Sequence, residues 1–190
     1  MLHGSEVRMS SCLTHLRPWI TEGALVMNAD FVKLQQSPRD FVRWRDSQDR
    51  LLGGQFAVAL SGYRDLTRRY PGIAQLWFEL GNAATGNLAF QLANSAYRRA
   101  MDLAPDNASL LAQIGQQYQG LRQLDDARTS YERALVADPD GVDARINLAV
   151  WFEKERRLDE AWDCVQACLS KHPRDDQARY FHALAAPQET

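Results

Sequence analysis

Small and apolar side chains recur along this chain at a fixed interval of 34 residues. Alanines stand in register at Ala59, Ala93, Ala127 and Ala161. Four residues after each comes a bulky side chain, Tyr63, Tyr97, Tyr131 or Val165, and three further on lies Leu66, Ala100, Ala134 or Cys168. Twelve residues before each alanine is a small one, Ser47, Gly81, Gly115 or Ala149, and twelve after it is Pro71, Pro105, Pro139 or Pro173. With proline at about 5% of residues, three further prolines fall in register by chance on the order of once in ten thousand trials. A period of this length marks a repeated supersecondary unit.

The spacing within each unit predicts two helices. The alanine and the bulky residue, four apart, share one helical face, and the small residue upstream lets the preceding helix approach closely. The proline then stops the second helix and opens the turn to the next unit. The segment LDDARTSYERALVADPDG (124–141) reads as a good helix interior followed by a Pro-Asp-Gly stop. Ser37 as N-cap, Pro38 at the first helical position and Asp40 as an early acid set the start of the array near residue 37. Upstream, Trp19, Ala24, Met27, Phe31 and Leu34 share a face, predicting a helix over 19–35 that caps the first unit or swings free. Residues 176–186 begin a further first helix, a minimal cap with Ala178, Phe181, Ala183 and Leu184 inward and Arg179 and His182 outward.

These positions resemble the tetratricopeptide repeat. The copy at 74–107 carries Trp77, Leu80, Gly81, Ala93, Tyr97, Ala100 and Pro105, and the copy at 108–141 carries Leu111, Ile114, Gly115, Tyr118, Ala127, Tyr131, Ala134 and Pro139. The copy at 142–175 keeps Leu148, Phe152, Ala161 and Pro173 but has Arg145 in place of the large apolar residue. The copy at 40–73 keeps Gly54, Phe56, Ala59, Tyr63 and Pro71, with Arg43 and Asp46 where apolar residues are usual. The resemblance implies an all-α, right-handed superhelical solenoid over 37–190, preceded by an extension at 1–36.

Composition changes this picture little. Of 190 residues, 45% are hydrophobic and 24% charged, the balance of a globular protein. The net charge of −2 lacks the basic excess of a dedicated nucleic-acid binder. There is no run of 18 apolar residues and no signal-peptide pattern at the start, which points to the cytoplasm. Charge is uneven: residues 39–69 hold seven arginines against four acids, whereas 108–141 hold three arginines against five acids. Most of these charges read as solvated helix faces; contact of the first unit, where Phe41 and Trp44 lie among the arginines, with an acidic partner or nucleic acid, and head-to-tail self-association through exposed repeat ends, are the alternatives.

Candidate chemistry is sparse. The chain has no phosphate loop, dinucleotide fingerprint, zinc-protease motif or nucleophile elbow. Cys164 and Cys168 lie a helical turn apart with no second pair, so they read as packing residues, neither zinc ligands nor a disulfide. Cys12 with His15 makes no catalytic dyad, and Asp125, Asp126, Glu153 and Glu155 read as helix-end charges. The expectation is a non-enzyme with no cofactor and no metal.

By the resemblance, the first helix of each unit lines a concave groove that holds an extended peptide. The positions carried over are Trp44, Arg45 and Gln48; Phe78, Glu79 and Asn82; Gln113 and Gln116; and Ile146, Asn147 and Val150. Amides donate and accept together, so Asn82, Gln113, Gln116 and Asn147 suit a peptide backbone. Phe78 and Asp143 stand where a carboxylate clamp uses lysine, which disfavours a C-terminal-tail clamp; Glu79, Asp143 and Glu153 favour a neutral or mildly basic segment. The expected function is a protein-interaction scaffold. The array is also loosely similar in style to repeats preceding bacterial sulfotransferase domains, which implies as an alternative a module presenting substrate or partner to a transferase domain absent from this chain.

Overall fold

The computed structural model describes residues 29–185. Among them are ten helices and no strand. Helix α1 (Ala29–Gln36) precedes four pairs: α2 (Pro38–Leu52) with α3 (Phe56–Arg69), α4 (Ala74–Gly86) with α5 (Phe90–Leu103), α6 (Ala108–Gly120) with α7 (Leu124–Ala137), and α8 (Val142–Lys154) with α9 (Leu158–Lys171). Helix α10 (Asp176–Ala185) follows. Each helix packs on its partner and on the next pair, which makes an all-α solenoid.

The register residues build the crossings. Ala59, Ala93 and Ala127 are fully buried and Ala161 is 3% exposed, so none of the four faces solvent. Small side chains there let α3, α5, α7 and α9 lie close against their partners. Tyr63, Tyr97 and Tyr131 are fully buried beside them, with Val165 in the last pair. The second helix of each pair ends two residues before its proline. The residues preceding the prolines, Tyr70, Ala104, Asp138 and His172, have φ between −125° and −138°, out of the helical region as a following proline requires.

Within each pair the turn is the same. Gly54, Leu88, Arg122 and Arg156 take φ of 72°, 60°, 62° and 61°, again 34 residues apart. The next amide returns to the first helix: Gln55 N–H to Arg50, Ala89 to Ala84, Gln123 to Tyr118 and Arg157 to Phe152, at 2.8–2.9 Å. This satisfies carbonyls at the helix end with one left-handed residue.

The N-terminal end departs from the expected cap. Ser37 holds the N-cap position in an extended conformation, but its side chain accepts nothing from the helix. Its hydroxyl donates to Asp40 Oδ2 at 3.0 Å, where the Tyr70 hydroxyl also donates at 2.9 Å, and Arg69 Nη1 donates to Oδ1 at 2.8 Å. A carboxylate only 6% exposed needs those donors more than the solvent-side amides of the helix need a cap. Desolvation pushes the Asp40 pKa up, but the hydrogen bonds and the Arg69 charge outweigh it and hold it below the usual carboxylate value. Helix α1 is tied in by Asp30 Oδ2, which accepts from Gly72 N–H at 2.9 Å, and by the buried Leu34. Residues 19–28 of the helix expected over 19–35, together with Cys12 and His15, lie outside the described residues.

Candidate interaction groove

The first helices α2, α4, α6 and α8 carry the eleven positions singled out for the groove. The structure divides them by burial. Trp44, Phe78, Glu79 and Ile146 are buried, at 7%, 6%, 5% and 1% exposure. Arg45 and Gln116 are exposed, and Gln48, Asn82, Gln113, Asn147 and Val150 are half-buried.

The buried members pack within their own unit or against the next one and present little surface of their own. Ile146 clusters with Cys168 of α9 and Ala178 of α10. Phe78 leans on Tyr97, with ring centroids 6.0 Å apart. Trp44 and Glu79 form a polar crosslink between the first and second pairs. The indole Nε1–H of Trp44 donates to Glu79 Oε2 at 2.9 Å, and the amides of Gln48 and Gln75 both donate to Oε1 at 3.2 Å. Burial raises the Glu79 pKa, and the donors around it, Trp44 first, only partly offset that. The Tyr63 hydroxyl neighbours the same carboxylate without a well-aligned hydrogen bond among the described residues, and burial first, then the Glu79 charge, push its pKa up.

What remains accessible is a row of amides. Asn82 Oδ1 accepts from the Tyr97 hydroxyl at 2.9 Å, while among the described residues its side-chain nitrogen has no hydrogen bond. The acceptor half of Asn82 therefore positions the donor half. Gln119 Oε1 does the same for Tyr131 at 2.8 Å. Gln113 Nε2 donates to Ser109 Oγ at 3.2 Å. Gln116, Asn147 and Val150 continue the row along α6 and α8, and Arg45 stands at its N-terminal end on α2. These side chains can donate to and accept from an extended backbone, with limited apolar surface at Val150.

The remaining candidate groups have structural placements. Cys164 is half-buried and Cys168 buried, both as free thiols, and burial pushes both pKa values up. Asp126 pairs with Arg98 at 3.6 Å. His182 is not turned outward: it is half-buried, with its ring centroid 4.5 Å from that of Trp162. Ala178 is fully buried and Phe181 half-buried, as the apolar face of α10 requires. Among the described residues no group of three or more His, Cys, Asp or Glu could hold a metal ion, and no helix is long and apolar enough to cross a membrane.

Two features escaped the sequence reading. Arg145 Nη2 donates to the carbonyl of Pro139, and Trp77 Nε1 donates to the carbonyl of Pro71 at 2.8 Å. These two donors stand at the same position of their units, so the departure at Arg145 keeps the contact. The Glu79 crosslink was hidden for a different reason: two of its three donors, Trp44 and Gln48, come from the unit upstream.

Comparison with known proteins agrees with the paired-helix fold. The chain matches the tetratricopeptide repeat family over residues 48–108 and 113–167. None of the curated proteins matches it. Among solved structures it is similar to MamA, at a TM-score of 0.62 and 20% identity, covering 77% of this chain and 86% of that one. It is likewise similar to TTC0263, a thermophilic TPR protein of Thermus thermophilus, at a TM-score of 0.60 and 25% identity, covering 82% and 86%. The Arabidopsis OM64 TPR domain aligns at a TM-score of 0.51 and 21% identity, covering 61% of this chain and 96% of that one. The register residues, the helix pairs they build and the family match over more than half the chain agree, and the chain belongs to the tetratricopeptide repeat family.

Proposed function

We propose that the chain is a non-catalytic protein-interaction scaffold that holds an extended peptide segment along the row Asn82, Gln113, Gln116, Asn147 and Val150. Its units are the spans 40–73, 74–107, 108–141 and 142–175. The observation that carries this reading is the division of the first-helix residues: the large apolar ones are consumed by packing, while the amides stay accessible. Asn82 is held by Tyr97 with its donor end unpaired, so it enters binding with little ordering cost. Of the two described thiols Cys164 is half-buried and Cys168 buried, and burial raises both pKa values, so neither is an activated nucleophile. Exposed Glu153 and Asp143 near the C-terminal end of the row favour a neutral or mildly basic segment.

The test is binding of the purified chain to an array of extended peptides. Gln116→Ala with Asn147→Ala is the informative variant, because neither side chain anchors a buried tyrosine. The reading expects a loss of about tenfold or more in affinity for captured peptides, at about 1 kcal/mol per lost hydrogen bond. Unchanged binding by a folded double variant would reject the groove.

A further inference from the structure

The joint between the second and third pairs is packed unlike its neighbours. In the first joint the ring of Phe56, at the start of α3, lies against Gly86 at the end of α4: a Cβ on Gly86 would come within 2.2 Å of it. The residues one period on are Phe90 at the start of α5 and Gly120 at the end of α6. Here a Cβ on Gly120 would meet nothing within 4 Å. Phe90 is 45% exposed, close to the 59% of Leu158, which holds the same position in the last pair, whereas Phe56 and Leu124 are half-buried. Helices α5 and α6 also touch far less than α3 and α4, or α7 and α8.

The rings of Tyr97 and Tyr118 meet edge-on across this joint at 5.4 Å, and around that aromatic contact most of the polar contacts are long. The Tyr118 hydroxyl reaches the Asn94 carbonyl at 3.5 Å, Ser130 Oγ reaches Met101 Sδ at 3.7 Å, and Arg98 faces Asp126 at 3.6 Å. Arg133 Nη2 donates to the Met101 carbonyl at 3.0 Å. A cleft of about 290 Å³ opens between α5 and α7, with Tyr118, Met101 and Ser130 among its lining residues. The third joint, by contrast, is pinned by Trp151, whose Nε1–H donates to the Leu124 carbonyl at 2.9 Å; the residue one unit earlier is Gln117.

We propose that the array is articulated at this joint. The half ending with α5 and the half beginning with α6 rock against each other, and closure seats Phe90 on Gly120 as Phe56 sits on Gly86. The Tyr97–Tyr118 contact acts as the pivot and stays packed, while the long polar tethers around it stretch. The closed state covers the ring of Phe90 at a glycine that offers no side chain to obstruct it. Because Asn82 lies on one half and Gln113, Gln116 and Asn147 on the other, the motion also sets the spacing of the amide row. The articulation itself does not depend on what that row binds.

Paired cysteines test it, in a background with Cys12, Cys164 and Cys168 replaced by serine or alanine and the fold checked by circular dichroism. The reference pair is Phe56→Cys with Gly86→Cys, and the test pair is Phe90→Cys with Gly120→Cys. A closed state populated at about 0.1–10% predicts that the test pair oxidises, but about 10- to 1000-fold more slowly than the reference. No oxidation of the test pair would mean a rigid open joint, and oxidation at the reference rate a joint already closed; either result overturns the proposal. Small-angle scattering on the oxidised test pair should show a smaller radius of gyration than on its reduced form, and no change would count equally against it.

Discussion

The ring of Tyr97 occupies the space that a side chain on Gly81 would need. A Cβ on Gly81 would come 2.3 Å from the ring, and one on Gly115 would come 2.4 Å from Tyr131. The other two pairs reach the same closeness by trading volume. In the last pair Ala149 faces the smaller Val165, and in the first Ser47 is accommodated by Gly62 on α3, where a Cβ would meet its hydroxyl at 2.0 Å.

Gly81→Ala should therefore destabilise the fold by about 1–3 kcal/mol through overpacking, despite alanine's better helix propensity. Adding Tyr97→Val recreates the Ala149–Val165 combination. The double variant should be more stable than the sum of the two single effects predicts, and a double-mutant cycle by urea unfolding measures the coupling. Strict additivity would show that the ring is not what the glycine accommodates.

Arg145 and Trp77 make the same contact with different chemistry, each donating to the carbonyl of the proline six residues before it. Arg145→Trp should then be tolerated within about 0.5 kcal/mol, whereas Arg145→Leu, closer to the family's apolar preference, should cost about 1 kcal/mol for the lost hydrogen bond. Thermal unfolding of the two variants decides which property the position requires.

Much of the fold was legible in the sequence because its carriers act inside one unit. Ala93, Tyr97, Gly81 and Pro105 meet or follow one another within 34 residues, so their spacing alone states the packing. The candidate groove was less legible, because Trp44, Glu79 and Ile146 are buried in part by the neighbouring unit as well as by their own. Whether a side chain at such a position meets solvent depends on how closely successive units stack, and no spacing within a unit records that. The turn residues are another such case: Gly54 announces a left-handed position, but Leu88, Arg122 and Arg156 adopt it under tertiary constraint.

That constraint has a measurable cost. Leu88 holds φ of 60° with its side chain 74% exposed, so it sustains the strain of a left-handed backbone without compensating burial. Leu88→Gly should stabilise the chain by about 0.5–1 kcal/mol, the relief of steric strain less the greater chain entropy of glycine. Leu88→Ala should leave stability near that of the original. A chemical-denaturation midpoint that falls with glycine would show that Leu88 makes a contact outweighing its strain.

Acid acts on the first two units in opposite senses. Glu79 has a folded-state pKa above its ordinary value, so the folded chain binds its proton more readily than the unfolded one. Its contribution is fully present below the ordinary carboxylate pKa and is lost as pH rises through the higher folded value. Asp40, held low by its donors, contributes above the ordinary pKa and loses that contribution as pH falls through its folded value. Stability of the original chain should therefore fall on going from about pH 5 towards neutrality by the Glu79 share and fall below about pH 4 by the Asp40 share. Glu79→Gln should flatten the first slope, while losing some stability because the amide of the new side chain would face the donors of Trp44, Gln48 and Gln75. Asp40→Asn should weaken the acid-side loss and lower stability at neutral pH by about 1–3 kcal/mol, leaving Arg69 without its carboxylate. Urea unfolding between about pH 3 and about 8 separates the two, and a Glu79→Gln profile parallel to the original over the upper range would place the titrating group elsewhere.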